Sequence, residues 1–234
     1  MASRRVAEIL GAAWAASPDD AGLLASLAVL CARSLPVTGV GLALMTEEGP
    51  AGTIAATDGA AVELERLQFT LGEGPCVDAS QSGRPVLQPD LARTAPPRWP
   101  AFAGGALVAG IRAVFAFPLR VGAIRVGVLD LYRDRAGPLS PGELTDALCF
   151  AEAATLTLLH AQAGSPARGA VPVLDERAEV HQATGVISVR AAVSLAEALV
   201  LLRARAFAEG RPLGDLARDV LSGEVDFGKD EDSG

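Results

Sequence analysis

Residues 164–173 read GSPARGAVPV, and this stretch rules out one continuous core. Two glycines and two prolines in ten residues break any helix or strand pattern, so it reads as a linker. The patterns on its two sides differ in kind. Before it, apolar segments bounded by turn residues predict strands between helices. After it, only helical spacing remains. The chain therefore divides into residues 1–163, a linker at 164–173, a helical segment at 174–223 and an acidic tail, EVDFGKDEDSG, at 224–234.

In the first segment, VTGVGLALMT (37–46) and GTIAATD (52–58) read as strands about the turn EEGP. RPVLQPDL (84–91) is a short extended piece. RAVFAFPLRV (112–121) and AIRVGVLDLYRD (123–134) form the clearest pair, joined through Val121-Gly122-Ala123 as a hairpin. Helical spacing predicts a helix over 3–15, with Val6, Ile9, Leu10 and Trp14 on one face. Ser17-Pro18-Asp19-Asp20 opens a second helix, whose stripe is Leu23, Leu24, Leu27, Leu30 and Cys31. ELERLQF (63–69) leads into a glycine turn, and 98–110 reads as an irregular helix. Ser140-Pro141-Gly142-Glu143 is a capping box. The helix it opens runs to about Gln162, with a weak seam of Leu144, Leu148, Ala151, Thr155, Leu158 and Gln162. That seam is expected to pack on the sheet and on a partner subunit.

The second segment reads as three amphipathic helices. The first is 177–190. The second follows the capping box Ser194…Glu197, aligns Leu195, Ala198, Leu199, Leu202 and Ala206, and stops at Gly210. The third opens at Pro212, with Leu213, Leu216, Ala217, Val220 and Leu221 on one face. A bundle this small needs support from its neighbour or from a dimer partner.

The net charge is −8, unevenly placed. Residues 1–163 carry 12 basic and 16 acidic groups, 176–223 carry 6 and 6, and the tail carries 1 and 5. A chain this acidic does not advertise nucleic-acid binding. No apolar run approaches the ~18 residues of a membrane span, and the first residues suit an amphipathic helix better than a signal peptide, so the chain reads as cytoplasmic. Cys31, Cys76 and Cys149 lie far apart without a CxxC pair, and only His160 and His181 could join them. That argues against a structural zinc site and a disulfide framework. No glycine loop carries a phosphate-binding lysine. Neither a metal nor a cofactor is expected.

LGEGPCVDAS (71–80) raises the enzyme question directly. A nucleophilic cysteine needs a base or a positive field. Cys76 has Glu73 and Asp78 as neighbours, which raise a thiol pKa. Gly72, Gly74 and Pro75 supply instead what a turn into a helix needs. No catalytic residue is assigned.

LGEGPCVDASQSGRPVLQPDLARTAPPRWPAF (71–102) resembles the middle of a GAF domain of the form found in actinobacterial regulators. The matching features are Gly72, Gly74, Gly83-Arg84-Pro85-Val86, Asp90 and Arg98-Trp99-Pro100. The strands VFAFPLRV and IRVGVLDLY resemble the final hairpin of that fold, and the resemblance covers about 20–163. It implies an antiparallel sheet flanked by helices, with a small-molecule pocket that Cys76, Phe102, Phe115 and Phe117 are candidates to line. The C-terminal segment resembles an ANTAR domain, a three-helix RNA-binding antiterminator module. Gln182-Ala183-x-Gly185, Ser194, Ala198, Leu202-Arg203, Ala206, Leu213 and Leu216-Ala217 carry that resemblance. It implies contact with an RNA hairpin by Gln182, Thr184 and Gly185 and by Arg190, Arg203, Arg211 and Arg218. Thr184 stands where the family often has lysine, and Ile187-Ser188 where methionine is usual.

The expected fold class is thus α+β, a GAF domain followed by an all-α ANTAR bundle. The expected function is a homodimeric, signal-responsive regulator of transcription by antitermination, its signal a small molecule or a protein. Two other readings stand beside it. One is a protein-interaction or dimerisation module that no longer binds RNA, with Ala183 and Gly185 serving close helix packing. The other is a GAF-type thiol enzyme reducing free methionine sulfoxide, disfavoured because two of the three cysteines lie on predicted helices away from Cys76.

Overall fold

The computed structural model describes residues 2–17, 20–46, 49–163 and 178–227. The chain falls into two compact units, Met1–Val173 and Leu174–Gly234. The expected linker at 164–173, Pro18 and Asp19 of the second helix start, Glu47 and Glu48 of the EEGP turn, and the tail beyond Phe227 lie outside the described residues.

The first unit is built on a five-stranded sheet in the order β2-β1-β5-β4-β3. Its strands are β1 (Gly39–Thr46), β2 (Gly49–Ala56), β3 (Val86–Gln88), β4 (Ala113–Val121) and β5 (Ile124–Arg133). Every pairing is antiparallel. The β4–β5 hairpin turns through Gly122 and Ala123, with Val121 paired to Ile124 and Gly122 at φ 60. A two-residue hairpin loop requires such a positive φ, which glycine adopts without strain.

Helices cover both faces. On one side lie α1 (Ala2–Ala16), α2 (Asp20–Ser34) and α7 (Pro141–Ala163). On the other lie α3 (Gly59–Leu71), α4 (Pro75–Ser82), α5 (Leu91–Thr94) and α6 (Pro100–Val108). ELERLQF therefore lies within α3. Successive strand residues point to opposite faces. Phe115, Phe117 and Leu119 of β4 accordingly pack with the first helical layer, and Val114 and Ala116 with the second. Because both faces are covered, β4 and β5 read as nearly continuous apolar runs.

The Ser140–Glu143 capping box forms as expected. Ser140 N–H donates to Glu143 Oε2 at 2.7 Å, and Glu143 N–H donates to Ser140 Oγ at 3.3 Å. Of the seam predicted along α7, Ala151, Thr155 and Leu158 are buried and Leu144 is partly buried, whereas Leu148 is about half exposed; Ala147, Phe150 and Ala154 widen the buried face. In α1 the buried stripe is Val6, Ile9 and Ala13, and Trp14 points outward. A helix advances 100° per residue, so a stripe running 6, 9, 13 leaves position 14 on its flank.

The second unit holds α8 (Ala178–Ala191), α9 (Leu195–Glu209) and α10 (Leu213–Ser222). Its core joins Val180, Ala183 and Ile187 of α8, Leu199, Leu202 and Ala206 of α9, and Leu213, Leu216 and Val220 of α10. Leu195 and Leu221, expected on the buried faces, are exposed. The Ser194–Glu197 capping box is complete, and Gly210 ends α9 at φ 62. Between α8 and α9, Ala192 sits at φ 54, a left-handed conformation that side chains disfavour.

Candidate functional site

The Gly-Glu-Gly-Pro-Cys stretch is a junction where three helices are capped at once. Gly72 ends α3 at φ 65, its N–H donating to Gln68 O. The Glu73 carboxylate accepts from the backbone N–H of Ala101 and of Phe102, at 2.8 and 2.7 Å. It thereby satisfies the first donors of α6, which would otherwise lack partners. Gly74 precedes α4 at φ 132, and Pro75 takes the first helical position. A Cβ on Gly74 would lie 2.8 Å from Gln68 Oε1, so glycine is needed for space as well as for conformation.

Behind this junction lies a buried polar cluster. Cys76 N–H donates to Gln68 Oε1 at 2.7 Å, and Gln68 Nε2 donates to Asp130 Oδ2 at 2.9 Å. Glu65, Gln68, Cys76 and Asp130 are each no more than 2% exposed. Gly41 of β1 makes room for the cluster, since a Cβ there would meet Glu65 Oε1 at 2.2 Å. Burial pushes the Asp130 carboxyl up to about 7, against hydrogen bonds from the Gln68, Glu65 and Cys76 side chains that pull it down. Asp130 Oδ1 still makes no hydrogen bond of normal geometry. A carboxyl in that setting holds its proton near neutrality, so this cluster contains a group that can titrate inside the fold.

Sequence reasoning found Cys76 and missed Glu65, Gln68 and Asp130. The one available signal was Asp130 itself, a lone acid inside the apolar strand VGVLDLY. Cys76 is fully enclosed and serves as a member of this cluster. Cys31 and Cys149 pack in the layer across the sheet, so the three thiols do not meet. Burial raises the pKa of both Cys31 and Cys149. Among the described residues no group of three or more metal-ligating side chains is assembled.

The four residues expected to line one pocket are divided by the sheet. Cys76 and Phe102 lie in the layer of α3, α4 and α6, where Phe102 meets Trp99 edge-on with centroids 6.2 Å apart. Phe115 and Phe117 lie in the opposite layer. Their odd register on β4 turns them away from Cys76, and they are core side chains of the α1/α2/α7 packing.

In the C-terminal unit, Gln182, Gly185 and Arg190 come together. With Val186, Val189 and Leu221 they line an open, apolar-floored concavity between α8 and α10. A Cβ on Gly185 would meet nothing within 4 Å. Gly185 thus does not serve close helix packing, whereas Ala183 is fully buried. Thr184 does not reach this surface. It is 5% exposed, and its hydroxyl donates to Val180 O at 2.7 Å. It sits on the inner stripe of Val180, Ala183 and Ile187, which removes it from the candidate RNA contacts.

Arg190, Arg211 and Arg218 are paired with acids of the same unit. Arg218 pairs with Asp215 and, at 3.3 Å, with Glu179. Arg211 pairs with Asp219 and, at 3.5 Å, with Glu209. Arg190 lies 3.6 Å from Asp226. Arg203 is half-buried, its Nε enclosed. Glu179 and Arg190 are eleven residues apart on α8, about 16 Å along a helix. Arg218 and Arg190 therefore flank opposite ends of α8 and do not form one compact patch.

Comparison with known proteins gives two family matches. The model for the GAF domain matches residues 8–158, and that for the ANTAR domain matches residues 173–221. Among solved structures, the chain is similar to the GAF domain of a phosphoenolpyruvate-protein phosphotransferase from Coxiella burnetii. The TM-score is 0.52 at 15% identity, covering 70% of this chain and 95% of that one. The corresponding domain from Acinetobacter gives a TM-score of 0.54 at 14% identity, covering 70% and 96%. At such identities the likeness concerns the fold. No curated protein matches the chain.

Proposed function

The chain belongs to the GAF domain family and continues into an ANTAR three-helix bundle, and from that architecture we propose a signal-responsive regulator that acts by binding an RNA hairpin. Residues 1–163 are the sensory part, 164–173 the linker, 174–223 the RNA-binding bundle and 224–234 an acidic tail. The observation that carries the reading is the open concavity of Gln182, Gly185 and Arg190, which gathers three of the residues the ANTAR resemblance singles out. In the sensory part, a ligand or protein partner acts by favouring one arrangement of the chain over another. The helix α7, which leads out of the sheet toward the linker, is the element through which that preference is passed on, and a homodimer is the working form. The antitermination role and the cytoplasmic setting come with the architecture. Among the described residues no single helix is long and apolar enough to cross a membrane.

The test is retention of the full chain on a pool of short RNA hairpins across a salt series. Each phosphate contact to single-stranded nucleic acid contributes about 0.7 to the slope of log affinity against log salt. A measurable slope that falls on Arg190→Ala, with Gln182→Ala lowering affinity at an unchanged slope, supports RNA binding through the concavity. Absence of salt-sensitive retention at every concentration rejects it.

One observation favours a second reading, a protein-interaction module. Val189 and Phe207 are 81% and 70% exposed, and Arg211 and Arg218 are already paired with acids. On that reading α8 and α9 bury their exposed apolar side chains against another protein, and Phe207→Asp, outside the concavity, lowers association without touching RNA retention. The function proposed is regulatory, not catalytic, since the enclosed Cys76 and its two distant thiols make no reactive group.

A further inference from the structure

A charged tail follows α10, and its first residues do not run out into solvent. Gly223 turns the chain at φ 83. The N–H groups of Glu224 and Val225 both donate to Asp219 O, at 2.8 and 3.1 Å. This closes the helix and folds the next two residues back along the bundle. There Asp226 meets Arg190 of α8, Oδ1 to guanidinium, at 3.6 Å. Its carbonyl oxygen accepts from Arg205 of α9 at 3.0 Å. The Arg205 guanidinium also stands 5.1 Å from the centroid of the Phe227 ring. Glu209 completes the set, accepting from Arg205 Nε at 2.7 Å.

Two arginines from different helices thus converge on one carboxylate residue of the same chain, and a ring stacks on one of them. Arg190 faces the Asp226 carboxylate and Arg205 donates to its backbone carbonyl, and two guanidinium groups gathered on neighbouring oxygen acceptors are also fit to hold a phosphodiester, whose oxygens accept N–H donors in the same way. We propose that Arg190 and Arg205 form a phosphate-binding site that the chain's own tail, through Asp226 and Phe227, occupies in competition with nucleic acid. Arg190 also borders the concavity with Gln182 and Gly185, so an RNA strand entering that groove meets the occupied site at its edge. The side chains of Arg190 and Asp226 are 43% and 69% exposed. Exposed pairs of this kind are weak and screened by salt, which makes the tail displaceable. Its last residues add Asp230, Glu231 and Asp232 to the same charge. The proposal rests on the RNA reading for the identity of the competing phosphate, and on the tail contacts alone for the site.

The experiment compares the full chain with four variants: removal of residues 226–234, Phe227→Ala, Arg190→Ala with Arg205→Ala, and the removal combined with those two substitutions. Cutting after Val225 keeps both hydrogen bonds that close α10. Two probes are used, the RNA hairpin pool and immobilised heparin, a sequence-free polyanion. Removing the tail is expected to tighten RNA binding and to raise the salt needed for elution from heparin. The RNA gain is roughly three- to tenfold for one exposed ion pair and one stacked guanidinium. Removal also deletes four acids and one lysine, so a general charge effect must be separated. Phe227→Ala does this, since it alters no charge and is expected to give a smaller gain of the same sign on both probes. The gain must also vanish in the Arg190→Ala, Arg205→Ala background. If Phe227→Ala changes neither probe, or if the truncation gain persists without the two arginines, the tail acts only through net charge and the site is overturned. If no form binds RNA but the arginine-dependent gain on heparin remains, the RNA reading fails and the occupied anion site stands.

Discussion

Asp130→Asn is the substitution that most directly tests the buried cluster. Burial lifts the Asp130 carboxyl from 3.8 to about 7, while in the unfolded chain it keeps its ordinary value near 3.9. Between those two values the folded protein holds a proton that the unfolded chain releases. Stability therefore falls as pH rises through the window from about 4 to about 7, and levels off above it. At 1.36 kcal/mol per pH unit, the accumulated penalty at pH 8 is on the order of 4 kcal/mol. Asparagine is neutral at every pH and nearly the same shape. Its carbonyl accepts from Gln68 Nε2 as the carboxylate does, and its amide can donate toward Glu65. Asp130→Asn is expected to be close to neutral at pH 4.5 and to stabilise by a few kcal/mol at pH 8. Glu65 interacts with the same carboxyl, so the midpoint of the effect belongs to the pair and not to one residue. Urea denaturation read by tryptophan fluorescence is suited to this, because both tryptophans, Trp14 and Trp99, lie in the first unit. Equal effects of Asp130→Asn at pH 4.5 and pH 8 would refute the reasoning, since they would mean that Asp130 is ionised inside the fold.

Three further outcomes follow from backbone geometry. Gly74→Ala places a Cβ at φ 132 and 2.8 Å from Gln68 Oε1, and is expected to destabilise the first unit by about 2 kcal/mol or more, read by the same fluorescence. Glu73→Ala removes the acceptor for two α6 donors and is expected to cost about 1–2 kcal/mol, with Glu73→Gln recovering much of the loss because its amide oxygen still accepts. Ala192→Gly relieves a left-handed alanine at φ 54 and is expected to stabilise the bundle by about 0.5–1 kcal/mol, seen as slower hydrogen exchange in α8 and α9.

Features enclosed within a few residues could be read from the sequence. The two capping boxes need only a serine and a glutamate three positions apart, and the β4–β5 hairpin needs only Gly122 between apolar runs. The face on which Phe115 and Phe117 lie could not be read that way. Both sides of β4 are buried, so its alternation carries no polar face to distinguish one layer from the other. The Gln68–Asp130 contact spans 62 residues, beyond the reach of any local pattern. Thr184 is a different case. Val180, Ala183, Thr184 and Ile187 are spaced i, i+3, i+4, i+7, which is the signature of a helix's inner stripe. The spacing indicates burial, whereas the family resemblance implies a surface contact.

The same contrast bears on charge. Counting residues makes the bundle neutral, six basic against six acidic groups over 176–223. Neutrality alone does not distinguish a surface with a separate basic face from one whose charges cancel pair by pair. The contacts of Arg211 with Glu209 and Asp219, and of Arg218 with Asp215 and Glu179, are cancellation of the second kind. A phosphate reaches such an arginine only by exchange with a carboxylate already there. Part of each new contact is then offset by the one lost, and the binding free energy is a small difference. Salt acts on both sides of that exchange. The slope of affinity against salt should therefore fall below what the number of contacting arginines implies at about 0.7 per phosphate, and should steepen when the competing acid is removed. A Glu179→Gln variant that leaves the slope unchanged while Arg218→Ala lowers it would show that Arg218 meets RNA without giving up its partner, and that pairing within the bundle does not limit binding.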